Sequence, residues 1–197
     1  RATRVHPLTR KNAGNNVGVF APSVDYSFEP DDDWIDIIAV QKGGLFGTDY
    51  RMLFPADGTD GIKRFLLDNM AEFARRGLSC PPVVVGVGIG GAKDQAVTLS
   101  KEAACLRVIG DSHPDPDVAA LEIELRELTN KTGFGVMGVG GDTTAFDVNV
   151  EIAYTHTGGV PVAISQFCTA YRRAVGRIYG DGTVEFREDP QWFTEYY

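Results

Sequence analysis

Apolar positions along this chain fall into two periods, and the switches between them mark the elements. Ile62, Phe65, Leu66, Met70 and Phe73 recur at the spacing of one helical face, and Gly77, just past Arg75 and Arg76, supplies the stop. The same period predicts helices over 92–106 and 118–129, the second with Asp117 as its N-cap. Short apolar or alternating runs predict strands at 17–20, 34–40, 83–87, 134–139, 144–153 and 160–165. The run 83–87 is apolar throughout, as a strand buried on both faces should be. The acidic turn Glu29-Pro30-Asp31-Asp32-Asp33 divides 17–20 from 34–40, and the two can pair as an antiparallel ribbon. Gly180-Asp181-Gly182 joins 177–179 to 184–186 as a hairpin. Hairpins mixed with two to three packed helices predict an α+β or mixed α/β fold, a single domain over 1–197 with a largely antiparallel sheet.

Composition narrows the function classes. The formal net charge of −8 repels phosphate backbones, so nucleic acid is not an expected partner. No apolar stretch approaches the roughly 20 residues of a membrane span, and no signal peptide is visible. The chain opens on Arg1-Ala2-Thr3-Arg4 without Met, which suggests processing or truncation upstream. Three cysteines without a close pair argue against a disulfide framework and for a reducing compartment, so the expected location is cytoplasmic.

Chemistry-bearing residues sit in loops. Cys80 precedes Pro81-Pro82 and the glycine-bearing run 83–91, while Cys168 follows the apolar run 160–165. Both lie at strand edges, where a rigid element can present a metal ligand, yet from a separation of 88 residues alone buried structural thiols are the better reading. Cys105 lies on a helix and reads as core. Lys42-Gly43-Gly44, 86–91 and 138–144 are glycine-rich loops whose backbone N–H groups suit carboxylate or phosphate ligands, or which simply turn tightly. Gly86-x-Gly88-x-x-Gly91, with Asp111 about twenty residues on, also mimics a dinucleotide fingerprint, although the repeated βα units that should follow are missing. His156 ends a strand and enters a turn, where it can face a site or solvent. His6 and His113 each precede proline and read as inert. Arg172-Arg173 beyond Cys168 can grip a dicarboxylate, or merely be solvated.

In this order the segments resemble the α part of class I fumarases and tartrate dehydratases, the iron–sulfur hydro-lyases. The matching stretches are His6-Pro7-Leu8-Thr9-Arg10-Lys11-Asn12, Lys42-Gly43-Gly44, Cys80-Pro81-Pro82 with 86–91, 138–144, and His156 through Cys168 to Arg173. The resemblance implies reversible addition of water to the C=C bond of a small dicarboxylate, with fumarate/malate first and tartrate or mesaconate as alternatives. It implies a [4Fe-4S] cluster on three cysteine thiolates, two of them Cys80 and Cys168, with the third in a Cys-Gln-Asp-Thr-Gly motif upstream of Arg1. It implies substrate binding by Arg1, Lys42, Gly43 and Gly44, a catalytic role for His156, and a β subunit or domain completing the site of an oligomer. The family's small pair after the glycines is replaced by Leu45 and Phe46, which should reshape the pocket. The aromatic tail 192–197 is the expected docking surface for the β partner. Two other readings compete: a cluster-free binding or assembly module of the same fold, and a nucleotide-binding oxidoreductase built on 86–91.

Overall fold

Alternating and fully apolar runs become strands, and the helical period becomes helices, as follows. The computed structural model describes residues 4–26, 28, 33–43, 47–77 and 80–187. The chain divides into two units, 1–35 and 36–197. In the first, turns dominate. The His6 ring nitrogen Nδ1 accepts the N–H groups of Leu8 and Thr9, both at 3.2 Å, and an isolated bridge joins Val5 to Asn12. The strand expected at 17–20 is instead a tight turn closed by the Gly18–Ala21 backbone pair.

Beyond that, the elements are β1 (Trp34–Gln41), β2 (Gly47–Leu53), α1 (Gly58–Arg76), β3 (Val83–Ile89), α2 (Lys93–Cys105) and α3 (Pro116–Lys131), then β4 (Ala145–Ile152), β5 (Val160–Cys168), β6 (Arg172–Tyr179) and β7 (Val184–Arg187). One sheet has the order β2-β5-β3-β4 and the other β1-β6-β7. In the first, β5 runs antiparallel to both β2 and β3, while β3 and β4 are parallel. The mixed α+β class expected from the sequence is the class the chain adopts. The neighbour of β1 is β6, not the 17–20 segment.

The helices cover the four-stranded sheet on two sides. Phe65, Leu66 and Met70 of α1 and Val118 and Leu125 of α3 pack with Val83, Val85, Val87, Val148, Val150, Val162 and Ile164 in one core. Each such fully buried side chain contributes about 1.5–3 kcal/mol. On the other side α2 lies almost against the backbone of β3. A Cβ on Gly86 would strike Ser100 and Ala104, and one on Gly88 would strike Ala96 and Ser100. These glycines therefore serve close helix–strand packing inside a strand that continues to Ile89. That removes the dinucleotide reading, and Asp111 is bonded to Arg107 instead of ending a second strand.

Helix ends follow local chemistry. Gly77 adopts the left-handed conformation (φ 63°) that closes α1. The N-cap of α3 is Asp115, not Asp117. Its carboxylate accepts the N–H groups of Asp117 and Val118, and Pro116 then occupies the first turn, where no donor is lost. The strand expected at 134–139 is a turn, because Gly133, Gly135 and Gly138 all take positive φ.

Candidate functional site

The order of the sheet decides which residues meet. Cys168 is the last residue of β5 and lies opposite Val83, the first residue of β3. Cys80 stands three residues before Val83, so both thiols reach the same end of the sheet. Cys80 is exposed and Cys168 half-buried. The glycine loop before β4 closes over this end. Met137 donates its N–H to the Pro81 carbonyl at 2.9 Å, and Val83 donates to the Thr144 carbonyl at 3.0 Å. Gly135 donates to Thr144 Oγ1 at 3.1 Å and passes so near Gly140 that a side chain there would collide with its carbonyl. Met137 itself holds φ 54°, a left-handed conformation that non-glycine residues rarely keep.

Cys105 is one layer below. It is buried with Ala104 and Phe167, and Val40, Leu106 and Tyr171 pack around them. Burial pushes its thiol up to about 12, against the pull of Lys42, Arg173 and Lys101. It stays a protonated core thiol, while Cys80 and Cys168 face outward. Lys42 follows Val40 by two residues, and its ammonium donates to the Gly43 carbonyl at 3.3 Å. Arg1, Gly44, Leu45, Phe46 and the tail 192–197 lie outside the described residues.

His156 is not brought to the cysteines. Ala153 donates to the Ile89 carbonyl, and Gly91 to that of Tyr154, so the His156 turn sits at the far end of β3. Seven strand residues separate the ends by about 20 Å. There His156 Nδ1 accepts the Gly158 N–H at 3.0 Å on an exposed turn. Because β4 and β3 run parallel, the loop leaving β4 carries His156 to the end of the sheet opposite Cys80 and Cys168.

Arg173 is likewise spent elsewhere. Its Nη1 donates to the carbonyls of Cys105, Leu106 and Arg107 at 2.9, 2.8 and 3.0 Å, which satisfies the end of α2. Arg172 donates to the Thr169 and Tyr171 carbonyls.

Sequence reasoning missed a buried charged cluster. Arg107 is 8% exposed, and its Nη1 lies 3.0 Å from Glu151 and 3.4 Å from Glu122, while its Nε donates to Asp111 at 3.1 Å. Glu122 also accepts the backbone N–H groups of His113 and Val150. His113, read as inert, is buried here, with Nε2 3.8 Å from Glu151. Burial pushes the Glu151 carboxyl up, against the pull of Arg107. For Arg107 burial opposes the charge, yet the Glu151 bond and the surrounding carboxylates hold its pKa above the usual value. The only signal in the sequence is Asp147, Asn149 and Glu151 on alternate positions, which normally marks a solvent face.

Among the described residues no group of three or more His, Cys, Asp and Glu gathers to hold a metal ion. Two free thiols, Cys168 at the end of β5 and Cys80 three residues before β3, nevertheless match, in donor chemistry, two corners of an iron–sulfur cluster.

The family model for fumarate hydratase (fumerase) matches residues 1–177. The chain belongs to the fumarate hydratase family. Within its reach, a putative L(+)-tartrate dehydratase subunit alpha from Methanocaldococcus jannaschii is 48% identical over 189 residues, 93% of this chain and 65% of that protein. The L(+)-tartrate dehydratase subunit alpha of Escherichia coli is 37% identical over 188 residues, 94% of this chain and 61% of that protein. The Shigella sonnei protein of the same name matches to the same extent. The chain thus spans less than two thirds of the length of these curated relatives. Among the described residues no helix is long and apolar enough to cross a membrane.

Proposed function

We propose that this chain forms part of an iron–sulfur hydro-lyase that adds or removes water at a C=C bond of a small dicarboxylate. The observation that supports this is that Cys168 ends β5 opposite Val83, the first residue of β3, while Cys80 lies three residues before Val83, next to the 133–144 glycine loop. In this reading the two thiolates hold two corners of a [4Fe-4S] cluster, and the third ligand comes from outside residues 1–197. The bound cluster supplies an open iron as Lewis acid for the substrate's hydroxyl and carboxylate. Lys42 and the Gly43 backbone hold a substrate carboxylate through charge and N–H donation, with Arg1 and Gly44 as further contacts. Cys105 is excluded from ligation by its buried, protonated thiol. His156 has no proton-transfer role at this end of its own chain.

The names of the relatives favour tartrate over the fumarate/malate pair that the sequence put first. They also carry the word "subunit", which supports a companion subunit completing the site in a cytoplasmic oligomer. The test is iron and acid-labile sulfide content after anaerobic reconstitution of the complete gene product. The parent should bind a near-stoichiometric cluster, Cys80→Ser should lose it, and Cys105→Ser should keep it. Equal loss from both would show that core thiols were misread as ligands. No cluster in any of them would favour the assembly-module reading, which rests on the absence of a third ligand among the described residues. Turnover of L-tartrate, malate and fumarate by the loaded enzyme then ranks the substrates.

A further inference from the structure

We propose that Arg173 is a positioning residue for Cys168, fastening the loop that bears this thiol to the C-terminal end of α2. The proposal rests on the cluster reading only for its purpose; the fastening itself is a property of the cluster-free chain. A helix ends in carbonyls without intrahelical partners, and a cation there is favourably placed. Arg173 Nη1 stands within 2.8–3.0 Å of the carbonyl of Cys105, the last residue of α2, and of those of Leu106 and Arg107 just beyond it. Four residues separate Cys168 from Arg173, and both shoulders of that short turn are held by the same helix end. On the entering shoulder, Phe167 is 2% exposed and packs against Ala104 and Cys105. It also meets the Tyr171 ring edge-on, with centroids 6.1 Å apart and planes at 75°. On the leaving shoulder stands the Arg173 guanidinium. Within the turn, Arg172 folds back onto the carbonyls of Thr169 and Tyr171, at 3.2 and 2.8 Å.

Cys168, half-buried at the end of β5, therefore stands between two points held by the same helix end, Phe167 and Arg173. Releasing the Arg173 anchor frees the turn without touching Cys80, whose neighbour Pro81 is held separately by the Met137 N–H. An Nη1 already shared among three carbonyls is poorly placed to grip a substrate carboxylate as well, so Arg173 acts through the loop.

The test uses the full-length gene product with any cluster stripped, and follows iodoacetamide alkylation of Cys168 and Cys80 by peptide mass spectrometry. Arg173→Gln should speed Cys168 roughly five- to tenfold through local opening while Cys80 keeps its rate. Arg173→Lys should raise the Cys168 rate about twofold, because the lysine ammonium ends one bond short of the place that Nη1 holds among the three carbonyls. An unchanged Cys168 rate in either variant overturns the proposal. So does equal acceleration of both thiols, which would report general loosening. Should the glutamine variant not fold, the lysine variant decides by itself. Iron content is read separately on the reconstituted parent. A parent that binds no cluster sinks the ligand reading, whereas the alkylation rates decide the anchor.

Discussion

The two ends of the four-stranded sheet share strands yet offer opposite chemistry. At one end lie the exposed Cys80 and the half-buried Cys168, and a glycine loop with a left-handed Met137 is bonded to Pro81 next to Cys80. Val136, Met137 and Val139 are exposed there. At the other end Gly90, Gly91 and His156 are tied into backbone bonds, and a side chain on Gly90 would collide with Ala153. The difference comes from one strand direction. In open parallel sheets, ligands gather at the carboxyl ends of the strands. Here β5 runs antiparallel, so its carboxyl end brings Cys168 to the amino end of β3. The site lies where a rule made for parallel sheets would not look.

That contrast breaks most severely at the strand joining the two ends. Gly88→Val would drive Cβ into the α2 backbone at Ala96 and Ser100 and should cost more than about 3 kcal/mol, enough to prevent folding. Soluble expression and circular dichroism report it, and a well-folded variant would refute the close-packing account. Next in size is Arg107→Ala, which leaves Glu122 and Glu151 buried without their cation and should cost about 3–5 kcal/mol in chemical denaturation. A loss below about 1 kcal/mol would place the cluster in solvent.

A smaller effect sharpens the same point by pH. The folded Glu151 carboxyl titrates above its unfolded value, because burial favours the neutral form. Its contribution to stability is therefore complete below the ordinary glutamate range and lost as pH rises through the raised value. Glu151→Gln should flatten that decline; a profile parallel to the parent's would disprove the shift. Smallest of all, His156→Ala should change stability by no more than about 0.5 kcal/mol, since the ring bonds only the Gly158 amide on an exposed turn. It should also leave cluster content unaltered.

Much of this was legible in the sequence because periodicity reports local geometry. The α1 face from Ile62 to Phe73, its glycine stop, the buried 83–87 strand and the 180–182 hairpin all follow from spacing and turn chemistry. The strand expected at 134–139 failed because apolar Val136, Met137 and Val139 alternate with glycines whose φ is positive, so turn chemistry overrode alternation. β2 was missed because Thr48, Asp49 and Arg51 hide its half-buried alternation. The site was legible through its cysteines, but which end each residue reaches depends on strand direction, which spacing does not encode. Which end His156 reaches was hidden for that reason. Asp147, Asn149 and Glu151 look solvent-facing until Arg107 arrives from another element.

β4 is the last strand of its sheet, and its open side is occupied by the chain's own side chains. Asn130 receives the N–H groups of Thr144 and Ala145 and returns a bond to the Ala145 carbonyl. Asp147 takes the N–H of Val148, and Glu122 that of Val150. A foreign strand arriving there would meet donors already engaged and a row of carboxylates. That border is thereby closed to recruitment, and two acids with an amide serve as its guard.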